Sequence, residues 1–556
     1  MATRLAALLV VAIVGTTLVA GLIVGAQRDD SSGPVDFIIH NAKVYAADDL
    51  GSIGDAVAIR GNKILKVGSE REIMRYRRPQ TTVIDARGAA VLPGFDDAHA
   101  SLIAGGLARD GVQLHGVATL EDIQARVTEW AAARADAAWI TGGGWSFDAF
   151  ADQPVRAQLD AAVSDRPARL LSEDGQALWV NTKALQAANL TRTTRSPKNG
   201  EIVRDRRGEP TGLLKGAAMA LVDRVVPPPT REERARALEL AMRDASRHGV
   251  TSVQDLGAAS GDLDLYDAAR HAGTLTLRVY AAVPADRTAM DDLDAIAKRY
   301  PDDPLLKTGL ATIALDGSVA SQTAAMLEPY IAKGGGDGLM QLTPERLSAL
   351  VSSLDSHGWQ IAVEASGDRS VRAALDAYGA VAKSANGTRP ARHRIENVSL
   401  IDPDDIPRFG ALGVVASMQP LHATLGGLLD WSRLMGPDRV AFGWAARSLS
   451  AAGAHLAFGS DWPVLPLDPL ASLAAAVRRP EVHAAEQLTL KSAINGWTSG
   501  AAWASFDDQR KGTLKPGMLA DLVILTTDIF AGHAQLTAAE VAMTICDGKI
   551  VYRRPS

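Results

Sequence analysis

Cysteine is nearly absent. Cys546 stands alone in 556 residues, which excludes an internal disulfide framework and a thiolate metal cluster. It lies in the apolar run AMTICDGKIVY and reads as a buried structural thiol. No long basic run occurs, and 58 basic against 64 acidic residues leave a formal net charge of −6. That balance disfavours a nucleic-acid partner. No short-period repeat is visible. Charged residues make up 22% and hydrophobic residues 47%, which excludes wholesale disorder and provides for a large core.

The first thirty residues differ from the rest. Leu5 to Ala26 carries no charge and is rich in Leu, Val, Ala and Ile. At about 1.5 Å per residue this run reaches roughly 33 Å, enough to cross a bilayer. Arg4 precedes it, which favours an N-terminus left in the cytoplasm and a body that is exported. An uncleaved membrane anchor is the reading that the length favours. A signal peptide cut near Val24-Gly25-Ala26 is its rival, and a buried helix of the main fold is the third possibility.

After a polar linker ending near residue 35, the segments DFIIHNAKVYAAD, DAVAIRGNKILKVGS and TTVIDARGAAVLPGF read as short strands separated by Gly and Asp turns. The stretch from Gly512 onward has the same texture. The two chain ends are therefore expected to form one small, discontinuous β-domain, from residues 36–92 and 508–556. Between them strand and helix alternate over 93–507. Thr230-Arg-Glu-Glu233 is a capping box, and Thr343-Pro344 opens a helix with Leu347, Leu350, Val351 and Leu354 on one face. Strands such as ATIAL, VVASM and HLAF are apolar on both faces, as in a sheet covered by helices. Such units in series imply an α/β fold, either a (β/α)₈ barrel or a doubly wound sheet. A stretch from about 146 to 226 breaks the rhythm and reads as an insertion or lid.

In a (β/α)₈ barrel the working residues sit at the C-terminal ends of strands. The residues at such places are His99, Asp174, Asp255, Asp316, Glu364, Asn397, Gln419 and Asp461. One imidazole with several carboxyls and amides can bind a divalent metal or run acid/base chemistry. Singly, such an Asp is more often a turn or cap residue than a ligand.

Together with their flanks these residues resemble the amidohydrolase superfamily, and within it the YtcJ-like group (amidohydrolase family 3). The resemblance covers about residues 36–556. It rests on VLPGFDDAH (91–99), GGGW (142–145), DGQALWVN (174–181), GEPTGLLK (208–215), LDGSVASQTA (315–324) and GDR (367–369). HRIEN (393–397), ASMQPLHA (416–423), GSDWPV (459–464) and KGTLKPGMLADLVIL (511–525) complete it. It implies a metal-dependent (β/α)₈ barrel plus a β-sandwich built from both chain ends. It also implies hydrolysis of a non-peptide, amide-like C–N bond by metal-activated water. Members of the superfamily often associate, which leaves a homo-oligomer open.

The ligand positions implied by the resemblance depart from the family. The second histidine of His-x-His is Ser101, the bridging lysine falls at Thr312, the histidine before GDR is Glu364, and RIEH ends in Asn397. His99 and Asp461 are kept, and Gln176 replaces a histidine in DGQALWVN. A neutral Thr312 supplies no bridging anion, and Asn397 offers only a carbonyl oxygen. A two-metal site is therefore not expected. His99, Glu364 and Asp461 remain as a possible set for one divalent ion, Zn²⁺ or Mn²⁺, with Asp461 as the catalytic base. Trp145, Trp179, Gln176, Asp316, Asn397 and His422 are expected to line the substrate pocket. The alternative is a pseudoenzyme without metal that binds or assembles in the cell envelope. The chain as a whole is expected to be exported, either membrane-anchored through its N-terminal helix or periplasmic or extracellular.

Overall fold

The computed structural model describes residues 34–555 apart from 49, 173–174, 176, 199, 259, 301, 320–321, 332–335, 385–390, 425–426 and 480. The apolar run 5–26, and with it the expected anchor, lies outside the described residues. Among the described residues no helix is long and apolar enough to cross a membrane.

Eight parallel strands form the centre. They are β1 (Phe95–Ala100), β2 (Val250–Asp255), β3 (Arg278–Pro284), β4 (Leu306–Ala314), β5 (Gln360–Ala365), β6 (Arg394–Asn397), β7 (Val415–Met418) and β8 (His455–Phe458). Each pairs in parallel with the next from β1 to β8. The ends meet just beyond β8, where Ala100 bridges Trp462, and the amides of Ser101 and Asp461 donate across the seam to Trp462 and His99 carbonyls at 2.8 Å. The expected barrel is thus present, nearly closed, and the doubly wound sheet is not.

The covering helices start where side chains can satisfy their first amides. Thr230 accepts from the Glu233 amide while Glu233 accepts from the Thr230 amide, closing the capping box before helix Arg231–Arg247. Thr343 caps Pro344–Ser356, whose Leu347, Val351 and Leu354 are buried against the barrel. One glycine is required by both angle and space. Gly249, between helix Arg231–Arg247 and β2, has φ +78°, and a Cβ there would sit 2.8 Å from Val523 Cγ2.

Both chain ends do build one sandwich. Four strands (Phe37–His40, Ala56–Arg60, Lys63–Gly68, Thr82–Asp85) form one sheet. In the other, Ala90–Pro93 from the N-terminal part pairs antiparallel with Leu522–Leu525 from the C-terminal part. Ile39, Val57 and Ile59 share a core with Val91, Leu522, Ile524 and Ile545. Arg278 at the foot of β3 binds both oxygens of Asp521, at 2.6 and 2.9 Å, and so fastens the sandwich to the barrel.

Between β1 and β2 stands a third unit, a six-stranded mixed sheet with strands from Val112 to Gly216. It starts upstream of the change of rhythm near residue 146, so GGGW belongs to it. Its core gathers Trp145, Phe150, Trp179, Leu170 and Leu213.

Candidate active site at the barrel mouth

Alternation along the barrel strands decides what reaches the interior. On β6, Arg394 and Glu396 point inward while Ile395 joins the outer core. On β7, Ser417 points inward while Ala416 and Met418 join the outer core. On β5 the inward residues are Gln360, Ala362 and, last, Glu364. The interior is therefore layered, and its uppermost layer holds the candidate residues.

Arg394 is fully buried and ties four strands together. Its guanidinium donates to Glu396 Oε1 (2.7 Å), the Ala98 carbonyl (2.7 Å), Ser417 Oγ (3.0 Å) and Gln254 Oε1. The other Glu396 oxygen binds His99 Nδ1 at 2.9 Å. His99 Nε2 is left facing Asp461 Oδ1 at 3.5 Å, and Asp461 Oδ2 binds His422 Nε2 at 2.9 Å. A single chain of contacts thus runs from the barrel centre, through Glu396, His99 and Asp461, to the partly exposed His422. Asp461 (φ +61°) and Asn397 (φ +69°) both hold left-handed backbone, which Asp and Asn tolerate better than other L residues and which is found at functional sites.

The electrostatics follow from burial and from this crowding. Burial by itself pulls the His99 imidazolium pKa down. The Glu396 hydrogen bond and the charges of Asp461, Glu396 and Glu364 outweigh it and hold the pKa up at about 9. Burial raises the Glu364 carboxyl above its usual range. The His99 charge opposes this, and Glu396 and Asp461 add to it. Glu396 is held below its ordinary value because Arg394, His99 and Ser417 overcome its burial. Asp97, beneath His99, is pushed up to about 7 by full burial, despite hydrogen bonds from Ser460 and the His99 amide.

The structure brings together His99, Asp461 and His422 directly, with Glu364 in the same charge cluster and Asn397 beside them at the end of β6. Other expected site residues lie elsewhere. Trp145 and Trp179 are fully buried in the core of the third unit, packed edge-on at 6.2 Å. Their indole N–H groups are spent on the Leu170 and Val155 carbonyls, so they pack rather than line a pocket. Asp316 accepts from the amides of Ala325, Ser366 and Gly367 at 2.9 Å and from Ser370 Oγ, so it organises loops. Asp255 is buried on Tyr266 Oη. Gln176 and Asp174 lie outside the described residues. Glu396 escaped sequence reasoning although it stands in the quoted HRIEN motif. Its inward position, two residues from Arg394 on a strand, was the available signal.

The expected metal set was tested on these contacts. Ser101, Thr312 and Asn397 provide none of the imidazole or anionic groups that a second ion requires, so a two-metal centre does not fit. One ion is better matched. Glu396 fixes the His99 ring through Nδ1 and leaves Nε2 toward a carboxylate, the arrangement of a metal-binding histidine with its supporting acid. Two donors on one tetrahedral ion at about 2.1 Å stand roughly 3.4 Å apart, close to the 3.5 Å between His99 Nε2 and Asp461 Oδ1. Glu364 is not drawn in with them. Among the described residues no three His, Cys, Asp or Glu side chains converge on a common position.

The amidohydrolase family pattern matches residues 82–552. The chain belongs to the amidohydrolase family. Its amidohydrolase relatives include the Putative amidohydrolase YtcJ of Bacillus subtilis, 30% identical over 93% of this chain and 99% of the relative. Protein LONG AFTER FAR-RED 3 of Arabidopsis thaliana is 34% identical over 93% and 91%. The N-substituted formamide deformylase of Arthrobacter pascens is 26% identical over 93% and 98%. An uncharacterized metal-dependent hydrolase from Pyrococcus furiosus superposes with a TM-score of 0.72 at 24% identity, over 87% of this chain and 97% of that one, a likeness of fold. The YtcJ-like resemblance read from the motifs is thereby established, and the likeness of fold agrees with the nearly closed barrel.

Proposed function

We propose that this amidohydrolase-family chain hydrolyses a non-peptide, amide-like C–N bond at the barrel mouth, with an atypical centre on His99 and Asp461. The observation that carries the reading is the contact chain in which Glu396 orients His99 and Asp461 stands between His99 and His422. His99 and Asp461 would hold a single divalent ion, with the Glu364 carboxyl in the surrounding charge cluster rather than on the ion. Such an ion supplies Lewis acidity and a water of lowered pKa when bound. Asp461 is the base that takes the proton of the attacking water, and His422, hydrogen-bonded to it and partly exposed, passes that proton toward solvent or the leaving amine. The likeness to an N-substituted formamide deformylase supports an amide as the substrate class. The apolar run at 5–26 supports export, with the barrel facing away from the cytoplasm.

The test is turnover of a panel of neutral secondary amides by the full-length protein purified with Zn²⁺ or Mn²⁺. Asp461→Asn is expected to lower the rate at least a hundredfold, in line with the loss of a general base. His422→Ala is expected to lower it less and to be rescued by added imidazole. Binding of these amides with no turnover under any metal would sink the enzyme reading in favour of a binding protein.

A further inference from the structure

Gln419 follows β7 directly, and the alternation that turns Ser417 inward turns Gln419 inward as well, one layer higher. In the register Ser417 lies level with Glu396, itself level with Glu364, so Gln419 stands just above those two carboxyls. The side chain is 1% exposed. Its Oε1 accepts from Asn397 Nδ2 at 3.3 Å, which fixes the orientation of the amide group. Its Nε2 then has no hydrogen-bond partner, although it is buried. A buried donor left unmade is costly, and one at the mouth of a barrel calls for an acceptor. Asn397 is thus the group that orients the Gln419 amide.

The neighbours say which acceptor. Glu364, Glu396 and Asp461 crowd around His99 close by and repel a further carboxylate. A neutral carbonyl oxygen meets the donor without that repulsion. We infer that Gln419, oriented by Asn397, is a specificity-determining residue that donates its Nε2–H to the carbonyl oxygen of a neutral amide-like ligand. The assignment rests on the amide-site reading above and adds to it the contact by which the carbonyl is recognised.

The test compares binding of N-benzylacetamide and its thioamide analogue to the full-length chain, by saturation-transfer NMR. Gln419→Glu keeps the shape and the oxygen that accepts from Asn397, and it removes the donor. Gln419→Leu is the second variant, and thermal melts check that both fold. The wild type is expected to bind the amide more tightly than the thioamide, whose sulfur is a weaker acceptor. Each variant is expected to bind the amide about tenfold more weakly, the loss of one hydrogen bond to a buried group, and to lose the preference. Amide binding that is unchanged in Gln419→Glu overturns the donor assignment and leaves the amide-site reading intact. Failure of the wild type to bind the amide overturns both.

Discussion

Replacing Arg394 by methionine keeps most of the buried volume and removes the guanidinium. The structure then leaves Glu396 as a fully buried carboxylate with His99 and Ser417 as its remaining partners, and it strips donors from the Ala98 carbonyl, Gln254 and Ser417. Breaking a buried ion pair from one side costs about 3–5 kcal/mol where the other charge is left unpaired, and His99, still bonded to Glu396, keeps the cost near the lower of these values. Unsatisfied neutral acceptors add about 1–3 kcal/mol. Arg394→Met alone is therefore expected to destabilise the barrel by roughly 4–6 kcal/mol. The double variant Arg394→Met/Glu396→Gln removes both charges and is expected to recover about half of that loss. The assay is guanidinium chloride unfolding followed by tryptophan fluorescence. Hydrogen exchange of the segments 394–397 and 415–418 separates the barrel from the other units, since a chain of several units need not unfold in one step. A single variant that loses less than about 1 kcal/mol would refute the reasoning, as would a double variant no more stable than the single one, because neither fits a buried, mutually dependent pair.

Two further outcomes follow from the same contacts. Asp255 has its carboxyl raised from 3.8 to about 7, mainly by complete burial. Its folded-state pKa lies above the unfolded one, so stability falls as pH rises from about 4 to about 7. Asp255→Asn removes that slope: between pH 5 and 8 it should lose less stability than the wild type, by at most about 3 kcal/mol, read from denaturant midpoints at the two pH values. Trp179→Ala should cost about 3–5 kcal/mol in the third unit, by cavity formation beside Trp145 and Phe150, while amide binding at the barrel mouth stays unchanged in calorimetry.

Much of the architecture was legible because it is periodic. Strands apolar on both faces, Gly-ended helices and a capping box at Thr230 spelled out the barrel units, and the like texture of residues 36–92 and 508–556 joined the sandwich. His99 and Asp461 were singled out because strand ends are where a barrel does its chemistry. The support beneath them was not. Glu396 is 297 residues from His99 in sequence, and only the closed barrel brings β6 across from β1. Trp145 and Trp179 misled because a buried aromatic cluster and an aromatic-lined pocket have the same composition. What separates them is the partner of the indole N–H, here a backbone carbonyl in both cases. Asp316 misled in a related way, since a carboxylate after a strand serves equally well to gather loop amides.

The most direct test of the centre on His99 and Asp461 is the metal content of the full-length protein. It would be purified without chelator, then incubated with Zn²⁺ or Mn²⁺, and ions per chain counted by mass spectrometry. The account predicts about one ion per chain in the wild type, in keeping with a site of few protein ligands, and none in His99→Ala or Asp461→Asn. A wild type that holds no ion under either condition, or a His99→Ala variant that holds as much as the wild type, would contradict it.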